Sequence, residues 1–292
     1  MRRLLSVALL LVLVLAISLV PGCAEKEETE PPSDSVTPTD SVTPTVTPEP
    51  AKTQVLVYFT RGEYVGVAGR EVKAAEDVES RAEAAMKALL GGPTDVEKEY
   101  GLGTVIPEGT VLNGVVVEGS KATVDMSRRF ESGGGSLSML LRVAQVVYTL
   151  TQFEGVTDVA FKLDGELVEA IGGEGVIVSP AVTRADFEGQ APPILVESPV
   201  PGEEVTSTIS LTGSANVFEA QFTVEVEDAK GDVVSTTTVR ATSGTGTRGT
   251  FDATAFAYGP WAPGSYTVVF FEPSPKDGSK TNVVEIPIEV VK

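Results

Sequence analysis

Apolar and polar positions follow different rhythms along successive stretches of this chain, and the changes of rhythm mark its parts. Leu4 to Val20 is an apolar run broken only by Ser6 and Ser18, with Arg2 and Arg3 before it. A basic start and a short apolar core form the pattern of a secretory signal, and the run falls short of the roughly 20 residues a membrane-spanning helix needs. Residues 24–52 show no hydrophobic period. Prolines recur at 31, 32, 38, 44, 48 and 50, and Asp34-Ser-Val-Thr-Pro-Thr39 repeats at once as Asp40–Thr45. Such a segment buries too little surface to offset its ordering entropy, so a disordered acidic Pro/Thr-rich tether is expected.

Period-2 and period-3.6 patterns then alternate over 53–187. Thr53–Thr60 reads as a strand, rich in β-branched and aromatic residues. From Asp77 to Leu90 the apolar residues Val78, Ala82, Ala85, Met86 and Leu89 recur at helical spacing, with Asp77 as cap and Gly91-Gly92-Pro93 as stop. Val111–Glu118 and Lys121–Met126 predict a hairpin around Gly119-Ser120. A second helix runs from a Ser136 cap to about Phe153, with Leu137, Leu140, Leu141, Ala144, Val147 and Leu150 on its buried side. Strands return at 156–163 and 166–171. Two helices among several strands predict an α+β domain with both helices on one face of a sheet.

After a short linker at 188–192, closed by Pro192-Pro193, the pattern over 193–292 is strands and turns alone. Seven strands are expected, at 194–197, 207–213, 221–228, 233–241, 249–255, 264–272 and 282–291, which is the outline of an immunoglobulin-like β-sandwich. Gly244-Thr-Gly-Thr-Arg-Gly249 matches a dinucleotide fingerprint literally, but a strand pattern follows where the pyrophosphate site needs a helix, so it is read as a loop.

Composition removes most chemistry. The 292 residues contain no histidine and one cysteine, so no Ser-His-Asp triad, Cys-His dyad, imidazole metal site, thiolate zinc cluster or internal disulfide is available. No catalytic residue, metal site or cofactor is expected, and the chain is read as a non-enzyme. The net charge of -19 argues against nucleic acid, which demands a basic footprint. Acidity is spread evenly, both folded halves carrying an excess of acids, so its plainest effect is solubility. Arg142, Gln145, Thr149 and Gln152 lie along one stripe of the second helix. They form either its solvated side or a recognition face, with Gln and Thr suited to reading a backbone or a sugar. Trp261, between Pro260 and Pro263, is either packed or an aromatic contact for sugar or protein. Asp125 and Asp164 read as turn and capping residues.

Three resemblances sharpen this. Leu19-Val20-Pro21-Gly22-Cys23 resembles a bacterial lipobox, which implies a signal peptide over 1–22 and lipid attachment at Cys23. Leu89-Leu-Gly-Gly-Pro93, Ile106-Pro-Glu-Gly-Thr110, Val124-Asp-Met-Ser127 with Phe130, Gln145–Phe153 and Val159–Gly165 follow one another in an order that resembles the GerMN domain of spore-germination and sporulation lipoproteins. Ser198-Pro199, Pro201-Gly202, Gly213, Phe218-Glu-Ala220, Phe270-Phe-Glu272, Ser274–Ser279 and Ile286–Val290 resemble the immunoglobulin-like domain of bacterial spore germination. The GerMN family is similar to the ring-building modules of secretion-type assemblies, which implies packing against other proteins. The resemblances imply a lipoprotein anchored to the cell membrane and facing its extracytoplasmic side. Expected partners are that membrane and envelope or sporulation proteins, in an oligomer or ring. A cell-wall glycan is the second candidate partner and a carboxylate-based glycan-cleaving enzyme the third reading.

Overall fold

A computed structural model describes residues 51–173, 175–206, 208–256 and 261–292. Beyond Pro48 the chain forms one compact unit. The signal peptide, Cys23 and all of the tether but its last two residues lie outside the described residues.

The first strand appears where the pattern placed it. β1 (Lys52–Arg61) turns through Gly62-Glu63 into β2 (Tyr64–Lys73), an antiparallel partner. The sequence did not announce β2, because Gly66 and Gly69 interrupt its β-branched run. α1 (Val78–Leu90) is capped by Asp77, whose carboxylate accepts from the Ser80 amide at 2.7 Å, and it ends at Gly91. α2 (Asp95–Glu99) is a single turn that shows no period and is held by a Thr94–Glu97 capping box. β3 (Leu112–Glu118) and β4 (Lys121–Met126) form the expected hairpin. α3 (Ser136–Leu150) begins at Gly135, not at a Ser136 cap, and leaves Leu137 exposed.

β5 (Asp158–Leu163) lies parallel to β4, so α3 is the crossover between them. β6 (Glu166–Leu167) completes a sheet of order β3-β4-β5-β6, while β7 (Ala170–Ile171) and β8 (Val176–Ile177) form a separate small ladder. The single strand expected over 166–171 is therefore broken in two. α1 packs on β3 and α3 on β5, and the β1–β2 hairpin packs against the same two helices. Tyr58, Phe59, Met86, Phe130, Tyr148 and Phe161 fill the core.

Eight strands follow, one more than the pattern showed: β9 (Ile194–Ser198), β10 (Glu203–Val205), β11 (Thr208–Ala215), β12 (Gln221–Asp228), β13 (Val233–Arg240), β14 (Gly249–Phe256), β15 (Gly264–Pro273) and β16 (Lys280–Val290). They form a sandwich of two sheets, β10-β16-β15-β12-β13 and β14-β11-β9. β10 is three residues long, too short for alternation to reveal, and it pairs parallel to β16. Phe222 centres the core, with ring centroids 5.0 Å from Phe251 and 6.4 Å from Phe270.

Gly213 lets β11 approach β9. A methyl group there would lie 2.1 Å from the Leu195 carbonyl oxygen, at a φ of 154°. Gly213→Ala should lower the unfolding free energy by about 2 kcal/mol or more, since the clash is with main chain. Urea unfolding measures this, and a midpoint equal to that of the parent chain would contradict the close approach.

Candidate functional site

The polar stripe of α3 is not a recognition face. Arg142, Gln145 and Thr149 are buried at 2%, 0% and 0% exposure, and Gln152 is half-buried. The reason lies in β1, which among the described residues has one strand partner, β2. In a hairpin closed by two residues the ladder bonds fall at alternate positions, so Leu56, Tyr58 and Thr60 turn their main-chain groups away from β2. Gln152 meets Leu56 twice, accepting from its amide and donating to its carbonyl, both at 2.6 Å. The Thr149 hydroxyl accepts from the Tyr58 amide at 3.1 Å, and Thr60 exchanges two bonds with Gly103. Side chains of a helix thus satisfy what a third strand would have satisfied.

The rest of the stripe orders loops. Gln145 holds Thr104 and the Val105 amide, and Arg142 donates to the carbonyls of Val105, Phe130, Ser132 and Gly133. Burial pushes the Arg142 guanidinium below its usual range. These four residues hold the fold together and present nothing to a ligand.

A second polar cluster joins the domains. Arg184 stands in the 3₁₀ turns of Arg184–Gln190, with its guanidinium 5.2 Å and 4.8 Å from the ring centroids of Tyr58 and Tyr148. It donates to Glu197 Oε1 at 2.8 Å, to the Tyr58 hydroxyl at 3.1 Å, to the Tyr148 carbonyl at 3.2 Å and to Thr151 Oγ1 at 2.8 Å. The Tyr58 hydroxyl in turn donates to Glu197. One cation therefore ties β1 and α3 of the first domain to β9 of the second. Burial opposes its charge, but Tyr58 and Glu197 facing it outweigh that and hold its pKa above the usual range. Nearby, Arg248 donates to Glu188 and to the Pro192 carbonyl, both at 2.8 Å, so residues 188–192 are a clamped joint.

β9 makes the joint hydrophobic as well. Leu195 and Val200 belong to the first domain's core, while Ile194 and Val196 belong to the second's. The signal was present in the sequence: Ile194-Leu195-Val196 is a continuous apolar run, which is how a strand covered on both faces reads. Nothing in the sequence paired Arg184 with Glu197 or Tyr58.

A groove of about 360 Å³ opens beside this joint, lined by Tyr64, Val65 and Val67 of the hairpin, by Ile194 and Val196 of β9, and by Arg61 at the hairpin tip. Elsewhere, Trp261 is half-buried and stacks on Tyr266 at 5.2 Å, packed against the second core. Asp125 accepts from the Gly165 amide at 3.1 Å, as a turn residue does. Gly249 opens β14, so no helix follows the glycine-rich loop. Among the described residues no group of three or more carboxylates could hold a metal ion.

Residues 56–169 match the family described as sporulation and spore germination, and residues 193–279 match the immunoglobulin-like domain of bacterial spore germination. Residues 56–169 are thus a GerMN domain, and residues 193–279 a germination-type immunoglobulin-like domain. Similar solved structures include the tandem GerMN domains of the sporulation protein GerM from Bacillus subtilis, at 19% identity and a TM-score of 0.41, covering 62% of this chain and 58% of that one. The first GerMN domain of the same protein is 23% identical with a TM-score of 0.37, over 46% of this chain and 98% of that one. A putative lipoprotein from Clostridium perfringens is 17% identical with a TM-score of 0.35, over 48% and 93%. The chain thus spans little more than half of the tandem GerMN structure. A comparison with curated proteins finds no match. Both matched families are germination domains and not known enzymes, and the GerMN–immunoglobulin-like pair fits a germination-related role.

The buried tyrosines give the joint a pH signature. Burial holds the Tyr58 hydroxyl neutral well above its usual range, with Glu197 adding to the shift and Arg184 opposing it, and burial pushes Tyr148 the same way. The native state then keeps protons that the unfolded chain releases near pH ~10, so stability present below that pH is lost as pH rises above it. In an absorbance titration of the six tyrosines, two should ionise only as the protein unfolds, and Tyr58→Phe should remove one of them. Ionisation of all six before any loss of structure would contradict the burial. Gln152→Ala, which strands both polar groups of Leu56, should cost about 1–3 kcal/mol of stability in the same denaturation assay.

Proposed function

We propose that this GerMN–immunoglobulin-like chain is a non-enzymatic lipoprotein, anchored through Cys23 on the extracytoplasmic face of the cell membrane, whose folded domains make protein contacts in envelope assembly during germination or sporulation. One observation carries the reading: Arg184 and β9 fuse two germination-type domains into a single body. A rigid pair presents surfaces on both domains in a fixed relation, which suits a scaffold, because little further ordering entropy is lost when a partner engages both. The polar residues that could have served as a site are engaged in holding this body together. The acidic tether of 24–52 sets it off from the membrane by at most ~90 Å, at ~3.1 Å per residue when fully extended.

Cys23→Ala placed behind a signal that is cleaved without lipidation should release the mature chain from the membrane fraction. Cross-linking in intact sporulating cells, followed by mass spectrometry, should then recover envelope proteins with the parent chain and lose them with the variant. A variant that fractionates and cross-links like the parent would rule out the anchored scaffold.

A further inference from the structure

Sheet edges are where one chain can add to another, and this protein guards most of its own. α3 and Gly103 take up the outward bonds of β1. β2 and β9 are covered at the joint, where Val65, Val67, Ile194 and Val196 are all buried. On β3 the Val117 amide donates to Glu79 at 3.0 Å, and the ladder is irregular between Leu112 and Gly114. β6, β7 and β8 have two residues each, and β10 has three, two of them glutamates. β14 exchanges bonds with Thr242 at its start and carries Asp252 in its middle. Among the described residues, β13 is the long edge that has none of these devices.

β13 reads Val233-Val-Ser-Thr-Thr-Thr-Val-Arg240, uncharged up to its last residue and β-branched at every other position but Ser235. It ends its sheet, with β12 as its strand partner. The Ala241 amide donates to the Ala220 carbonyl, so the ladder bonds to β12 fall at Val239, Thr237 and Ser235. Thr236, Thr238 and Arg240 therefore turn their main-chain groups outward. All three residues are exposed, and those groups have no partner among the described residues. Val233 and Val234, at 50% and 44% exposure, extend the open surface. Charge beside the edge is low for a chain of net charge -19, because Lys280 holds both Glu225 and Glu227 of β12, at 2.6 and 3.0 Å. The exposed Asp232 and Arg240 carry opposite charges at the two ends of the run, and neither side chain forms an ion pair among the described residues.

We infer that β13 is a self-pairing edge, which takes the β13 of a second copy of this chain antiparallel to itself and makes one continuous sheet of the two five-stranded sheets. The strand is complementary to itself under a two-fold axis at Thr237. In that register Thr236 and Thr238 of each copy exchange main-chain bonds with Thr238 and Thr236 of the other, and their side chains form cross-strand threonine pairs. Arg240 falls opposite Val234 of the other copy and diagonal to its Asp232, within reach of a long side chain. Both ends of the shared ladder thus gain an opposite-charge contact. Acidic copies repel each other over most of their surface, so the uncharged edge is where approach costs least. A two-fold contact uses the same surface on both copies, so assembly through this edge stops at the dimer.

The inference goes beyond the anchored scaffold and needs neither membrane nor envelope protein, so either can fail without the other. Sedimentation equilibrium on the purified mature chain carrying Cys23→Ala should show a reversible monomer–dimer equilibrium at concentrations up to about 1 mM, where even millimolar dimers are populated. Adding Thr236→Lys and Thr238→Lys together sets lysines opposite one another in both bonded pairs. This should weaken the dimer roughly tenfold or more with an unchanged melting temperature, because both positions are exposed. Association driven by any other surface would instead tighten, since the two lysines reduce the net negative charge. Arg240→Asp should weaken the dimer, and Asp232→Arg added to it should restore the affinity. A chain that stays monomeric over the whole range overturns the inference. If the double-lysine variant of that monomeric chain also loses its cross-links in cells, the edge belongs to a foreign strand. A dimer as tight with the two lysines as without them overturns it as well, whatever the charge exchange does.

Discussion

A single guanidinium at the seam governs the arrangement of this protein. Arg184 lies between two tyrosine rings and bonds a carboxylate of the other domain, and the groups around it come from β1, α3 and β9. Arginine suits the position better than lysine would, because its planar fork donates in several directions while its face stacks on an aromatic ring. Removing either partner would leave a partly shielded charge without its counter-ion, which destabilises the joint. The bond is therefore a device for specificity of arrangement. It says which surface of the immunoglobulin-like domain meets the GerMN domain.

Charge makes such a device necessary. Acids outnumber bases in both folded halves, so bringing the halves together works against their mutual repulsion. Apolar contact through Leu195 and Val200 supplies attraction, and Arg184 and Arg248 place cations where acids of the joint, Glu197 and Glu188, would otherwise face the seam alone. Beside these, the α3 stripe shows how a two-stranded hairpin can be built into a core: Gln152 and Thr149 supply the bonds that a neighbouring strand would have made.

Strands and helices with a clear period were legible in the sequence. β1, α1, the β3–β4 hairpin and most of the sandwich fall within a residue or two of where alternation put them, and the two domain resemblances match the families found. What escaped notice has physical causes. β2 is interrupted by two glycines, and α2 and β10 are too short to show a period. The α3 stripe misled because polar residues at helical spacing read as a wet face, whereas here they point into a core that holds unpaired main chain. A periodicity argument counts polarity and is blind to hydrogen-bond demand from elsewhere in the fold. The joint was invisible for a related reason, since its members, Tyr58, Tyr148, Arg184 and Glu197, are scattered over 140 positions of chain.

Whether the two domains behave as one body can be read from unfolding followed by two probes at once. Trp261, the chain's only tryptophan, reports on the second domain, and helical ellipticity reports on the first, where α1, α2 and α3 all lie. If Arg184 and β9 fuse the domains, fluorescence and ellipticity should trace one superimposable transition with denaturant, as two-state behaviour requires, and Arg184→Met should separate them. Two distinct midpoints in the parent chain would contradict the fusion on which this account rests.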